Sequence, residues 1–297
     1  MSGKWKNYHI LSDNLLEQGH IQKAIELLNK ALIFAPDKDS RVETYFSLAD
    51  LYWQQGDLES AEDTFEKIRA LGEYPGADYA LGVLLEESGR DREAMAYLES
   101  AVAKDPAYES ACYELALLYD RFGYKDDALE LFLRCAKLVP ENGVVFSDIA
   151  SIYEERKEYE KALPLAQKAV QLSPTYSIGY YNLGVIYQKT GWDEKALEAY
   201  KESLVYDKDY APTYLNMSAI YLRGDRIWDA IAILTRGIAL DLGSVNLFYN
   251  RACSYMRLGK RDEAISDLKE AIALNGDAKM WASRDEDLQE IVREVDS

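Results

Sequence analysis

Two polar series in the C-terminal half of the chain recur at a fixed interval. Asn182, Asn216 and Asn250 are separated by 34 and 34 residues, as are Lys189, Arg223 and Arg257. A carboxamide donates to a carbonyl oxygen and accepts from an N–H, so it can hold the backbone of an extended chain without reading its side chains. Amides repeated at one period would clamp such a chain at successive points, and the cations beside them would attract an acidic stretch. Neither series is needed to close an apolar core.

Groups for covalent or metal chemistry are sparse. His9 and His20 are the only histidines. Cys112, Cys135 and Cys253 show neither paired nor metal-type spacing and read as inert free thiols. There is no phosphate-cradling glycine loop and no zincin motif. Asn216-Met217-Ser218 matches a glycosylation sequon but falls mid-helix and reads as chance. No enzyme, cofactor or metal is therefore expected.

The elements that would position the polar series follow from one alanine. Ala24, Ala61, Ala94, Ala128, Ala162, Ala196, Ala230 and Ala264 are spaced by 37, 33 and then 34 residues throughout, which gives eight repeats. With that alanine as position 20, position 8 is always small (Ser12, Ala49, Gly82, Ala116, Ala150, Gly184, Ser218, Ala252), and position 27 is small in seven of eight repeats. Small residues let two helices approach closely, so each repeat is predicted to be an antiparallel helix pair. Position 15 carries a turn glycine in six repeats, from Gly19 to Gly259, and Pro36, Pro106, Pro140 and Pro174 close second helices. Positions 4, 7, 8 and 11 form a large, apolar, small, aromatic stripe, clearest in Tyr180, Leu183, Gly184 and Tyr187, which reads as packing.

The net charge of −18 argues against nucleic acid backbone or anionic membrane as a partner and favours basic partners. No apolar run is long enough for a membrane span, and residues 1–16 hold no uninterrupted apolar run of the secretory type. The chain reads as cytoplasmic.

The pattern of large residue, Leu, Gly or Ala, Tyr, then Gly, Ala, aromatic, Ala and Pro resembles the tetratricopeptide repeat, and Gly179 to Tyr187 is close to that family's consensus. The resemblance covers nearly the whole chain. It implies an all-α fold, a right-handed α-solenoid of eight helix pairs over residues 1–280, with a concave groove lined by the first helix of each pair. Ser283 to Glu286 form a capping box ahead of Leu288, Ile291, Val292 and Val295, so residues 281–297 are expected to be a C-terminal capping helix.

On the first helix, positions 2, 6, 9 and 13 lie within about 60° of one another and face away from the packing stripe. Over repeats six to eight this face shows Ile178, Asn182, Val185 and Lys189, then Pro212, Asn216, Ala219 and Arg223, then Asn246, Asn250, Cys253 and Arg257, without a carboxylate. Repeats one to five place eight carboxylates there (Asp13, Glu17, Glu43, Asp50, Glu87, Glu114, Asp148 and Glu155) against Lys6 and Arg121. The predicted groove is therefore bipolar.

Position 6 is similar to the asparagine ladder in the tetratricopeptide region of the O-GlcNAc transferase family. That resemblance implies a backbone-holding role for Asn182, Asn216 and Asn250 alone, because position 6 upstream is Asp148, Glu114, Ala80, Ser47 and Ile10. Asparagine is also common there as repeat consensus, and both readings stand at this point. The carboxylate clamp by which some family members hold chaperone tails is not matched by any three successive repeats. The expected function is a non-catalytic protein–protein interaction scaffold holding an extended segment of another protein in the groove. Its binding residues would be Asn182, Asn216, Asn246, Asn250, Lys189, Arg223 and Arg257. The alternatives are a homo-oligomeric assembly protein and a peptide-sensing module.

Overall fold

The structure, a computed structural model, describes residues 2–240 and 243–295. Met1, Asp241, Leu242, Asp296 and Ser297, which fall in the spans assigned above to the repeats and the cap, lie outside the described residues. The chain folds as two compact units, 1–140 and 141–297. The N-terminal unit holds four helix pairs: α1 (Ser2–Glu17) with α2 (Ile21–Phe34), α3 (Lys38–Gln54) with α4 (Leu58–Leu71), α5 (Pro75–Glu87) with α6 (Asp91–Lys104), and α7 (Glu109–Arg121) with α8 (Lys125–Leu138). The C-terminal unit holds four more: α9 (Gly143–Glu155) with α10 (Tyr159–Leu172), α11 (Ser177–Lys189) with α12 (Asp193–Tyr206), α13 (Ala211–Arg223) with α14 (Ile227–Ala239), and α15 (Val245–Arg257) with α16 (Arg261–Leu274). The described residues contain no strand.

Helices of this length are marginal alone in water, so packing between them must supply the stability. All eight position-20 alanines are fully buried. The small residue at position 8 is equally required. A Cβ on Gly184 would lie 2.5 Å from the ring of Tyr200, and one on Gly82 would lie 2.6 Å from Leu98. The turn within each pair needs a left-handed residue at position 15. In repeats five and seven, which lack glycine there, Lys157 (φ 61°) and Asp225 (φ 57°) adopt that conformation.

Two buried aspartates, held by cations, interrupt the apolar interior. Asp78, on the packing stripe of α5, is 0% exposed and bonds Arg69 Nε at 2.6 Å and Lys104 Nζ at 2.6 Å. Arg251, on the packing stripe of α15, holds both oxygens of the buried Asp267 at 2.7 Å.

The C-terminal cap is present in a different form from the continuous helix expected. A short helix, α17 (Asp277–Ala282), leads into successive turns and a 3-10 turn at Val292–Glu294. The proposed capping box closes locally instead, because Asp285 Oδ1 accepts from the backbone N–H of Asp287 at 2.9 Å while Asp285 Oδ2 accepts from Tyr249 at 3.1 Å. These bonds fix the backbone in turns that still insert Leu288 and Ile291, both 0% exposed, against Ala252, Ala264 and Leu268 of repeat eight.

Candidate peptide-binding site

In the C-terminal unit two of the three asparagines join successive first helices. Asn182 on α11 donates from Nδ2 to the Ser147 hydroxyl on α9 at 2.9 Å. Asn216 on α13 donates to the Tyr181 hydroxyl on α11 at 3.2 Å. Both amides are half-buried; Asn182 keeps its carbonyl oxygen and a second N–H for another partner, whereas Asn216 also reaches the Tyr200 hydroxyl and keeps its carbonyl oxygen. Asn250 on α15 is half-buried, and Asn246 at the start of the same helix is exposed. The helices supply position and the hydroxyls one residue earlier in the preceding repeat supply orientation, an arrangement that the 34-residue spacing alone did not disclose.

Tyr181 is also part of an aromatic cluster. Its ring lies 5.0 Å from that of Tyr210, edge to face, and 5.9 Å from that of the fully buried Tyr200, whose hydroxyl bonds Gln188 at 2.7 Å. Burial pushes the Tyr181 hydroxyl up, and Tyr210 adds to this, while the Asn216 hydrogen bond opposes it.

The cation series behaves differently at its three positions. Arg223 reaches back to Asp193, at 2.7 and 3.3 Å. Arg257 pairs with Asp287 of the cap at 2.8 Å. Lys189 is exposed and faces the Glu154 carboxyl, which burial pushes up and Lys189 pulls down. The reach of thirty residues from Arg223 to Asp193 recurs in the N-terminal unit, where Arg121 lies 3.3 Å from Asp91 and 2.7 Å from Glu86. These exposed pairs link neighbouring repeats but are weak, on the order of 0–1 kcal/mol each, so an incoming carboxylate can compete for the arginines.

The first-helix face of the N-terminal unit is acidic, as the residue pattern indicates. Asp50 is pushed up by burial. Glu87 accepts from the Trp53 indole at 2.7 Å. Glu114 is pushed up by burial first, then by Glu86 and Glu109. A separate cleft, lined by Val102, Pro106, Leu115, Tyr119, Leu131 and Arg134, belongs to the second helices α6 and α8 and the packing face of α7.

Of the cysteines, Cys112 and Cys135 are buried, and burial pushes the Cys135 thiol up to about 12. Cys253 lies with Asp285 and Asp287 so that their donor atoms fall within 4.8 Å of one another. The three could hold a divalent cation in principle, a grouping that sequence spacing missed because no motif joins α15 to the cap. The fit is poor. Burial and the two aspartates push the Cys253 thiol up to about 12, and Arg257, Tyr249 and the Asp287 N–H already engage the carboxylates.

Family models described as tetratricopeptide repeat match residues 7–73, 46–109, 113–177, 165–198 and 245–278, more than half of the chain together. The chain belongs to the tetratricopeptide repeat family. That fold generally serves protein–protein interaction, and its members are typically non-catalytic. No curated protein matches the chain.

Among solved structures, the Cut9–Hcn1 hetero-tetramer of the APC/C is similar over 96% of this chain and 54% of that one, at 17% identity and a TM-score of 0.65. PilF of Pseudomonas aeruginosa is similar over 74% of this chain and 97% of its own, at 20% identity and a TM-score of 0.60. MamA of Desulfovibrio magneticus RS-1 is similar over 57% and 96%, at 20% identity and a TM-score of 0.52. At these identities the likeness is one of fold, the α-solenoid of tetratricopeptide repeats. This chain spans about half the length of the Cut9 chain. No helix among the described residues is long and apolar enough to cross a membrane.

Proposed function

We propose that this tetratricopeptide protein is a non-catalytic interaction scaffold that holds an extended segment of a partner protein along its first-helix face, with Asn182, Asn216 and Asn250 gripping the segment's backbone. The observation that carries this reading is the anchoring of two of these amides by the preceding repeat, Asn182 on Ser147 and Asn216 on Tyr181. An amide already fixed by one hydrogen bond loses less freedom when it binds a second group. Lys189, Arg223 and Arg257 flank the amides and favour an acidic stretch there, and Asn246 extends the row at the start of α15.

The test is an affinity capture with the wild-type protein beside the variant carrying Asn182→Ala, Asn216→Ala and Asn250→Ala, with thermal unfolding of both. The expected result is a set of proteins retained by the wild type and lost by a still-folded variant. Identical retention by a folded variant would reduce the asparagines to repeat consensus.

A self-association reading draws on exposed aromatic surface in the C-terminal unit, where Trp192 is 55% and Trp228 61% exposed. Each ring, however, has a lysine over it, Lys195 at 4.3 Å and Lys260 at 5.5 Å, which partly occupies it. Light scattering across concentration separates the two readings, since a scaffold alone stays monomeric.

A further inference from the structure

The N-terminal unit carries a second docking point of different chemistry. Tyr79 on α5 and Tyr108 at the start of α7 bring their rings to 5.1 Å between centroids, tilted by 48°. Both rings are half-buried, so each keeps an accessible portion. Glu114 stands on α7, the helix that begins directly after Tyr108, six residues beyond that tyrosine and on the first-helix face. It has no hydrogen-bond or ion-pair partner among the described residues, and Glu109 beside it has no cation either. Arg121, the arginine of the same helix, is engaged by Glu86 and Asp91. Two carboxylates therefore stand without neutralisation against a two-ring aromatic surface.

Negative charge of this kind raises the Tyr79 hydroxyl after burial has done so, with Glu114, Tyr108 and Glu109 contributing in that order. A half-buried carboxylate lacking a counter-ion disfavours the folded state. It is compensated when a cation arrives, and the adjoining ring faces favour that cation further. A planar guanidinium matches both partners, because it stacks on a ring while its edge donates to a carboxylate.

We propose that Tyr79, Tyr108 and Glu114 form a docking point for an arginine side chain on the bound segment. This deepens the scaffold reading and rests on it only in taking the first-helix face as the docking surface.

The experiment uses the full chain and a synthetic peptide of alternating serine and arginine, acetylated and amidated, beside its neutral citrulline counterpart. Binding is followed by calorimetry and by the ring resonances of Tyr79 and Tyr108. The variants are Glu114→Gln, Tyr79→Leu, and Glu43→Gln, which removes one exposed charge from another repeat of the same face. The expected result is binding of the arginine peptide alone, with shifts at both rings, weakened about tenfold by Glu114→Gln or Tyr79→Leu and hardly at all by Glu43→Gln.

Equal weakening by Glu43→Gln and Glu114→Gln would overturn the proposal, since it would mean attraction by net charge alone. Equal binding of the citrulline peptide, or silent Tyr79 and Tyr108 rings, would overturn it as well. Loss of captured partners by the triple asparagine variant, with no arginine docking here, would sink this inference and leave the scaffold reading standing. The reverse outcome would leave the arginine site and remove the asparagine clamp.

Discussion

Tyr79, Tyr108 and Glu114 in the N-terminal unit occupy the same repeat positions as Tyr181, Tyr210 and Asn216 in the C-terminal unit. The tyrosine pairs are nearly superposable in spacing, at 5.1 and 5.0 Å. They differ in the third member. Asn216 closes its site by donating to Tyr181, whereas Glu114 has no partner among the described residues. One position of the repeat thus decides whether the aromatic surface is backed by a neutral amide bonded to it or by an uncompensated charge. The buried ion pairs differ between the units in a parallel way, since Asp78 is held by two cations and Asp267 by one, Arg251.

The largest effect should come from breaking that second contrast. Arg251→Met leaves Asp267 buried without its cation and should cost about 3–5 kcal/mol, read by chemical denaturation. Arg69→Met should cost clearly less, because Lys104 remains on Asp78 at 2.6 Å. Equal losses would show that the second cation does nothing.

Next in size are the left-handed turns of repeats five and seven. Lys157→Gly and Asp225→Gly should each raise stability by about 1 kcal/mol, since a side chain at positive φ is strained there and glycine is not. A fall in stability with either change would mean that the side chain, rather than the turn, matters.

The smallest effect sharpens the comparison of the two tyrosine sites. The Glu114 carboxyl lies above its ordinary range because burial, Glu86 and Glu109 disfavour its charge. The folded protein then holds that proton to higher pH than the unfolded chain does. Stability falls as pH rises from the ordinary carboxylate range through the raised value, and stays lower above it. Glu114→Gln should therefore raise the melting temperature at neutral pH, with a gain that fades below the ordinary carboxylate range. Asn216→Glu should do the opposite at neutral pH, since it also removes the bond to Tyr181.

The repeat phase was legible because it answers to steric demands that few residues meet. The alanine of position 20 and the small residue of position 8 sit where helices touch, and the structure leaves no room at Gly184 beside Tyr200. Position 15 was read through glycine, yet Lys157 and Asp225 show that the conformation persists without it. The asparagine positions were legible, but the bonds of Asn182 to Ser147 and Asn216 to Tyr181 were not, because those partners lie one repeat earlier at a position the pattern did not single out. Asp78 and Arg251 were hidden for a related reason: they replace large or apolar residues on the packing stripe, and their partners come from other helices. The Tyr79–Tyr108 pair joins one helix to the start of another helix in the next repeat, and no single-helix periodicity can show that.

The exposed arginine–aspartate pairs that reach thirty residues, Arg121 with Asp91 and Arg223 with Asp193, have a mechanical consequence. They act as latches between adjacent repeats within their own units, and salt screens such latches. Each stack should accordingly be stiffer in dilute buffer than in concentrated salt. An acidic segment that takes Arg223 for itself releases Asp193, so capture and compliance become one event: the protein loosens where it is gripped.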